Sequence, residues 1–166
     1  MSTKTDYTDE EWTLLLKTPA LAGIAVVTVS PSGPIGVFKE LSSMGKWILG
    51  AGENAPAGTL VAVIVEDIRA IAERKQPAPP DEKIPPAELK TRVLANLKQA
   101  VEILSAKATP TETEAYKQWI LDVAANIAKA AKEGTVFGFG GTLVSDAERG
   151  VLREIAEALG TTAPTL

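Results

Sequence analysis

The sequence contains neither cysteine nor histidine. Without cysteine, the chain can form no disulfide and has no thiolate to act as a nucleophile. Without histidine, it lacks the commonest general base and the commonest metal ligand of proteins. These two absences exclude a zinc site of the usual kind, a Ser-His-Asp triad and a Cys-His catalytic pair.

A surplus of positive charge is also missing. The 17 lysines and arginines are outnumbered by 21 aspartates and glutamates, which gives a formal net charge of −4. Proteins that bind nucleic acid usually carry a clear basic surplus, because they must neutralise phosphates. We therefore expect no nucleic-acid partner.

Long hydrophobic runs are absent too. The N-terminal residues "MSTKTDYTDEEW" are polar and acidic, unlike a signal peptide. The longest apolar run, Leu21 to Val29, has about half the length that a bilayer-spanning helix needs. The sequence therefore predicts a cytoplasmic protein that does not span a membrane.

Helix starts are the clearest positive signals in the chain. A Ser or Thr followed three residues later by Glu can form a capping box, in which each side chain satisfies a free backbone N–H. Three such pairs occur: Thr8 with Glu11, Thr109 with Glu112, and Ser145 with Glu148. Apolar residues also recur at helical spacing in four segments. They predict helices over 60–75, from Pro86, over 111–133 and over 146–159.

Two apolar segments fit either a helix or a strand. "GIAVVTVS" (residues 23–30) and "TLVAVIV" (residues 59–65) are rich in β-branched residues, which favour strands. A first helix is expected within residues 9–29, and Pro19 could divide it, with Thr18 capping a second helix. We favour helix in both segments, because the clearly marked neighbours are helical and no tight hairpin signal is present.

The whole pattern predicts an all-α, single-domain bundle of about six or seven helices. A Pro-rich linker at 76–85 divides the domain 1–166 into halves 1–75 and 86–166. Each half contains an aromatic-bearing helix, a Gly-rich break and a further helix. This similarity of layout predicts a weak internal repeat.

The segment "GTVFGFGGTLVSDAERG" (residues 134–150) holds a glycine-rich loop. Leu143 stands where a dinucleotide fingerprint needs its third glycine, and no lysine follows as a P-loop requires. We interpret the loop as a connector in which Gly134 ends a helix and Phe137 and Phe139 pack on the bundle. Its length exceeds that of usual helix connections, which leaves a binding role open.

The stretch "GTLVSDAERGVLREIAEALG" resembles the second helix-pair motif of TerB-like tellurite-resistance proteins, and "AVVTVSPSGPIGVFKEL" resembles the first copy. The resemblance implies an all-helical bundle with pseudo-twofold symmetry. It also implies a role in a stress-response complex that is linked to a membrane or a metal.

The resemblance implies candidate metal ligands as well, since the acidic Asp-Gly pairs of the family are proposed to bind metal. The first copy has Ser32 and Gly33 in place of such a pair, whereas the second copy offers Glu133, Asp146 and Glu148. Glu148 also suits the capping box, and Asp146 suits a helix N-terminus. We therefore favour capping over metal binding, and we expect no cofactor and at most weak binding of divalent cations.

Three functions remain open from the sequence. The first is a non-enzymatic stress-response module, similar to TerB, that acts through a protein partner or a homodimer and can associate with a membrane complex. The second is a small-molecule or lipid-binding bundle, which would contain an apolar pocket. The third is a carboxylate-based enzyme at the glycine loop.

Trp12, Trp47 and Trp119 are interpreted as core or interface anchors, with ligand stacking as the alternative.

Overall fold

A computed structural model describes residues 2–29, 44–50, 55–56, 58–74, 86–130 and 144–164. These ranges contain a short 3-10 helix and six α-helices, and they contain no strand. The 3-10 helix spans Lys4–Asp6, and the α-helices are α1 (Asp9–Val27), α2 (residues 44–50), α3 (Leu60–Glu73), α4 (Pro86–Lys107), α5 (Pro110–Ala130) and α6 (Asp146–Leu159).

The predicted all-α fold is confirmed, and both ambiguous segments are helical. The described part of "GIAVVTVS" lies at the end of α1, and "TLVAVIV" forms the start of α3. Their β-branched side chains are largely buried against other helices, for example Val26 and Ile64. Tertiary packing therefore outweighs the local strand propensity of these segments.

All three predicted capping boxes are present. The hydroxyls of Thr8 and Ser145 each accept a hydrogen bond from the backbone N–H three residues later, at 3.2 Å. Thr109 accepts the same bond at 3.3 Å, and the carboxylate of each partner glutamate accepts the backbone N–H of its cap. At the other end of α6, Gly160 adopts a left-handed conformation with φ of 67°, which is common for a glycine that ends a helix.

The first helix continues through Pro19, although proline lacks the N–H that would bond the carbonyl four residues earlier. That carbonyl belongs to Leu15, and it accepts a hydrogen bond from the Tyr116 hydroxyl of α5 at 2.9 Å. Thr18 does not cap a second helix, because its hydroxyl donates to the Leu14 carbonyl at 2.7 Å. A donor from another helix thus replaces the missing amide, and α1 is not divided.

One hydrophobic cluster joins residues from both predicted halves. In it, α1 packs against α4 and α5, and α6 packs against α1, α4 and α5. The helices α1 and α5 approach closely at Gly23, where an added Cβ would lie 2.5 Å from the Ile127 Cδ1 atom. The largest side chains that are almost fully buried are Tyr116, Leu15, Leu60, Ile64, Leu97, Leu104, Ile120, Leu121, Ile127, Leu152, Ile155 and Leu159.

The N-terminal segment is held against the bundle by polar contacts. Asp67 of α3 accepts a hydrogen bond from the Lys4 Nζ at 2.6 Å and from the Trp12 Nε1 at 2.8 Å. The backbone N–H of Ser2 donates to the Glu112 Oε1 at 3.0 Å. These contacts connect the start of the chain to α1, α3 and α5.

Some predictions concern residues outside the described ranges. The linker 76–85 and the glycine loop before Val144 both lie there. The division into two halves and the internal repeat therefore stay predictions. None of the helices in the described ranges combines the length and hydrophobicity needed to cross a bilayer.

Candidate ligand-binding cleft

A cleft of about 830 Å³ lies between α2, the start of α3 and one face of α5. It is open to solvent on one side. The residues that line it are Lys46, Trp47, Leu49, Gly50, Ala55, Pro56, Thr59, Val61, Ala115, Gln118, Trp119, Asp122, Val123 and Asn126. We refer to this feature as the cleft.

Helical spacing explains how α5 forms one wall of the cleft. Its lining residues recur every three or four positions from Ala115 to Asn126, so they share one face of the helix. Trp119 and Val123 are buried and form the floor, whereas Gln118 and Asp122 are exposed at the rim. The two rim side chains are joined by a hydrogen bond, in which the Gln118 Nε2 donates to the Asp122 Oδ1 at 2.8 Å.

Residues of α2 form another part of the wall. Trp47 is half-buried there, and Leu49 and Gly50 lie beside it. The Nζ of Lys46 lies 5.8 Å from the centroid of the Trp47 ring, which is within the range of a cation–π contact. This wall therefore offers an aromatic surface with one positive charge at its edge.

The start of α3 also lines the cleft, and its N-cap is unusual. Thr59 has the extended backbone of an N-cap, and its N–H donates to the Pro56 carbonyl at 3.1 Å. Its hydroxyl makes no capping bond, unlike those of Thr8 and Ser145. The Thr59 Oγ1 is buried and has no hydrogen-bond partner among the described residues.

Trp119 on the cleft floor also has a buried polar atom without a hydrogen-bond partner in the described ranges. Its ring packs edge-on against Tyr116, with centroids 5.7 Å apart and an interplanar angle of 79°. Trp119 is 4% exposed, and its Nε1 has no partner in the part of the chain that the structure describes. A buried donor without a partner costs about 1–3 kcal/mol, so such groups are uncommon. Trp12 differs, because its Nε1 donates to Asp67.

The charges of the cleft are few and balanced. Among its lining residues, Lys46 is the one cation and Asp122 is the one anion, and both are exposed. The buried floor carries no charged side chain among these residues. The cleft therefore favours an uncharged, mainly apolar occupant over an ion.

The predicted metal ligands Asp146 and Glu148 are not among the residues that line the cleft. Glu133 falls outside the described residues, and the side chain of Asp146 is fully exposed. Glu148 is buried, and its Oε2 accepts bonds from the Ser145 N–H at 2.8 Å and the Ser145 Oγ at 2.7 Å. The described ranges hold no group of three metal-ligating side chains. The capping role of Glu148 is confirmed, and weak or absent metal binding stays a prediction.

The sequence draws attention to two residues of the cleft but does not predict the cleft itself. Trp47 and Trp119 stand out as rare residues, but their helical surroundings indicate core or interface anchors more strongly than ligand contacts. Thr59 was missed, although one local signal exists. It has the type of an N-cap, but Ala62 stands three residues later where a capping box needs Glu or Gln.

Comparison with protein families, with curated proteins and with solved structures finds no match to this chain. The resemblance to TerB-like proteins therefore stays a prediction from the two quoted segments.

Proposed function

We propose that this protein is a non-enzymatic binding module that holds a small, mainly apolar molecule in the cleft. The observation that carries the proposal is the volume of about 830 Å³ above a floor of Trp119, Val123 and Val61. Sites for small molecules are usually apolar concave spaces of about 300–1,000 Å³ with a few polar groups. We further propose that the protein acts in the cytoplasm.

Binding is favoured over catalysis by the polar groups that line the cleft. Carboxylate-based hydrolysis or proton transfer usually needs two carboxyl groups whose pKa values differ. Asp122 is the one carboxylate among the lining residues. It is exposed, and it accepts a hydrogen bond from Gln118. No feature of the described residues favours the alternative of an enzyme at the glycine loop.

The test is a titration with N-phenyl-1-naphthylamine, a neutral probe whose fluorescence rises in apolar surroundings. About −0.3 kcal/mol for each of its roughly 17 non-hydrogen atoms gives about −5 kcal/mol, so we expect a Kd of about 0.2 mM or tighter. The substitution Ala115→Phe should weaken binding at least about tenfold, because Ala115 lines the cleft and a larger side chain would fill it.

Thr111→Phe is the matched control. Thr111 is exposed on the same helix, one turn before Ala115, but it does not line the cleft. This variant should bind the probe like the original chain. Absence of saturable binding by the original chain would refute the proposal, and so would equal binding by the two phenylalanine variants.

The stress-response role, acting through a protein partner or homodimer, remains a prediction from the resemblance. Among the described residues, Ile71 is the one large hydrophobic side chain that is exposed, at 47%. A single exposed apolar side chain is ordinary on a protein surface. The described surface therefore gives this role no separate support.

A further inference from the structure

We propose that the cleft selects an uncharged aromatic molecule that carries a hydrogen-bond acceptor, such as an aromatic ketone or a quinone. This inference rests on the proposed binding function and specifies the class of ligand. It follows from two unpartnered polar groups, one aromatic wall and the charge balance of the cleft.

The first polar group is the indole N–H of Trp119. Indole nitrogen can donate a hydrogen bond but cannot accept one, so its missing partner must be an acceptor. The ring is held in place by Tyr116, at a centroid distance of 5.7 Å. The Nε1 is buried, with an exposed area under 1 Å², and it belongs to a residue that lines the cleft. A carbonyl oxygen that enters the floor would supply the acceptor for this donor.

The second polar group is the hydroxyl of Thr59, which lines the same cleft. A threonine at an N-cap normally accepts a bond from the helix backbone, as Thr8 does in α1. Thr59 makes no such bond, so its hydroxyl can donate to a ligand without losing a capping contact. A carbonyl oxygen is a suitable acceptor for either group.

The aromatic part of the ligand is indicated by Trp47. Trp47 is half-buried in the α2 part of the wall and lines the cleft with an apolar, aromatic side chain. Flat aromatic molecules stack on such surfaces and bury more area than a flexible chain does at the same entropy cost. The balanced pair of rim charges, Lys46 and Asp122, gives no reason for the ligand to be charged.

The experiment compares two probes that differ in one atom position. 2-Acetylnaphthalene carries a carbonyl oxygen where 2-isopropenylnaphthalene carries a methylene group. The Kd of each is measured by displacement of N-phenyl-1-naphthylamine. We expect the ketone to bind about tenfold more tightly than the hydrocarbon, because only the ketone offers an acceptor to the buried donors.

Variants identify the donors. Trp119→Phe and Thr59→Val should each reduce the preference for the ketone to about threefold or less, whereas Thr59→Ser should retain it, since serine keeps the hydroxyl. Trp47→Phe is the control for lost aromatic area, and it should weaken both probes without changing their ratio. Because the ratio is measured within each variant, a general loss of packing cancels.

The outcomes separate this inference from the proposed function. Equal binding of the two probes by the original chain would overturn the inference and leave the binding function intact. A ketone preference that survives both Trp119→Phe and Thr59→Val would also overturn it. Failure of both probes and of the naphthylamine to bind would refute the binding function itself.

Discussion

Tyr116 shows how one side chain can determine the course of a distant helix. It is fully buried, and its hydroxyl donates to the carbonyl that Pro19 leaves without an amide partner. Burial raises the pKa of this hydroxyl well above its ordinary value of 10.0, because the charged phenolate would lose its hydration. The hydroxyl therefore keeps its hydrogen to donate at neutral pH.

We predict that Tyr116→Phe lowers the free energy of unfolding by about 1–3 kcal/mol, because the buried Leu15 carbonyl loses its donor. In a Pro19→Ala background the same substitution should cost at least about 1 kcal/mol less, since the alanine would supply an amide N–H to that carbonyl. Urea unfolding of the four proteins in this double-mutant cycle measures the difference. Additive effects would show that the hydroxyl does not replace the proline's missing donor.

At the scale of helices, local signals predicted the starts well. A capping box involves residues three positions apart, so Thr8, Thr109 and Ser145 could be identified from neighbouring letters alone. The continuity of α1 could not, because the donor for the Leu15 carbonyl is 101 residues away in the sequence. The sequence favoured a helix in this region but left its division at Pro19 open.

The cleft could not be predicted either, because the residues that form it are far apart in the sequence. Its walls come from α2, α3 and α5, and no local pattern indicates that Trp47, Thr59 and Trp119 meet. An unpartnered donor is also a property of the folded arrangement. The sequence could therefore indicate a bundle with room for an apolar pocket, but not which residues would form it.

A second feature at this scale is the close crossing of α1 and α5 at Gly23. An alanine there would place its Cβ 2.5 Å from the Ile127 Cδ1 and 3.2 Å from the end of Met44. Alanine favours a helix over glycine by about 1 kcal/mol, but overpacking a core costs about 1–3 kcal/mol. We predict a net loss of stability of about 1 kcal/mol for Gly23→Ala in thermal or urea unfolding.

Ile127→Val tests the cause, because it deletes the Cδ1 atom that the new methyl group would meet. Alone, it should destabilise the protein by about 0.5–1.5 kcal/mol, as usual for this change in a core. Combined with Gly23→Ala, it should restore at least part of the stability that the alanine removed. A double variant whose loss equals the sum of the single losses would contradict the close-packing explanation.

At the scale of the whole molecule, Asp67 links the N-terminal segment to α1 and α3. Partial burial raises its pKa, but the hydrogen bonds from Lys4 and Trp12 outweigh that effect, so the pKa lies below the ordinary value of 3.8. A carboxyl whose pKa is lowered by folding stabilises the folded state at any pH above the ordinary value. This contribution disappears as the pH falls through the lowered pKa.

We therefore predict that Asp67→Asn destabilises the protein by about 1 kcal/mol at pH 7. The difference should persist down to about pH 4 and then shrink at lower pH, where the original carboxyl becomes protonated. Thermal melts at a series of pH values measure it, with Glu66→Gln as a control at the exposed neighbouring position. A difference that does not change between pH 7 and pH 2 would contradict the ionic role of Asp67.

The claim that the cleft holds a small apolar molecule is tested most directly by the indole N–H signals in ¹H–¹⁵N NMR spectra. The chain has three tryptophans, so it gives three such signals, which single Trp→Phe variants assign. Trp47 and Trp119 line the cleft, whereas Trp12 is bonded to Asp67 and does not. Addition of 2-acetylnaphthalene should shift the signals of Trp47 and Trp119 in a saturable way and leave that of Trp12 in place. Shifts of all three signals alike, or of none, would contradict the assignment of the cleft as the binding site.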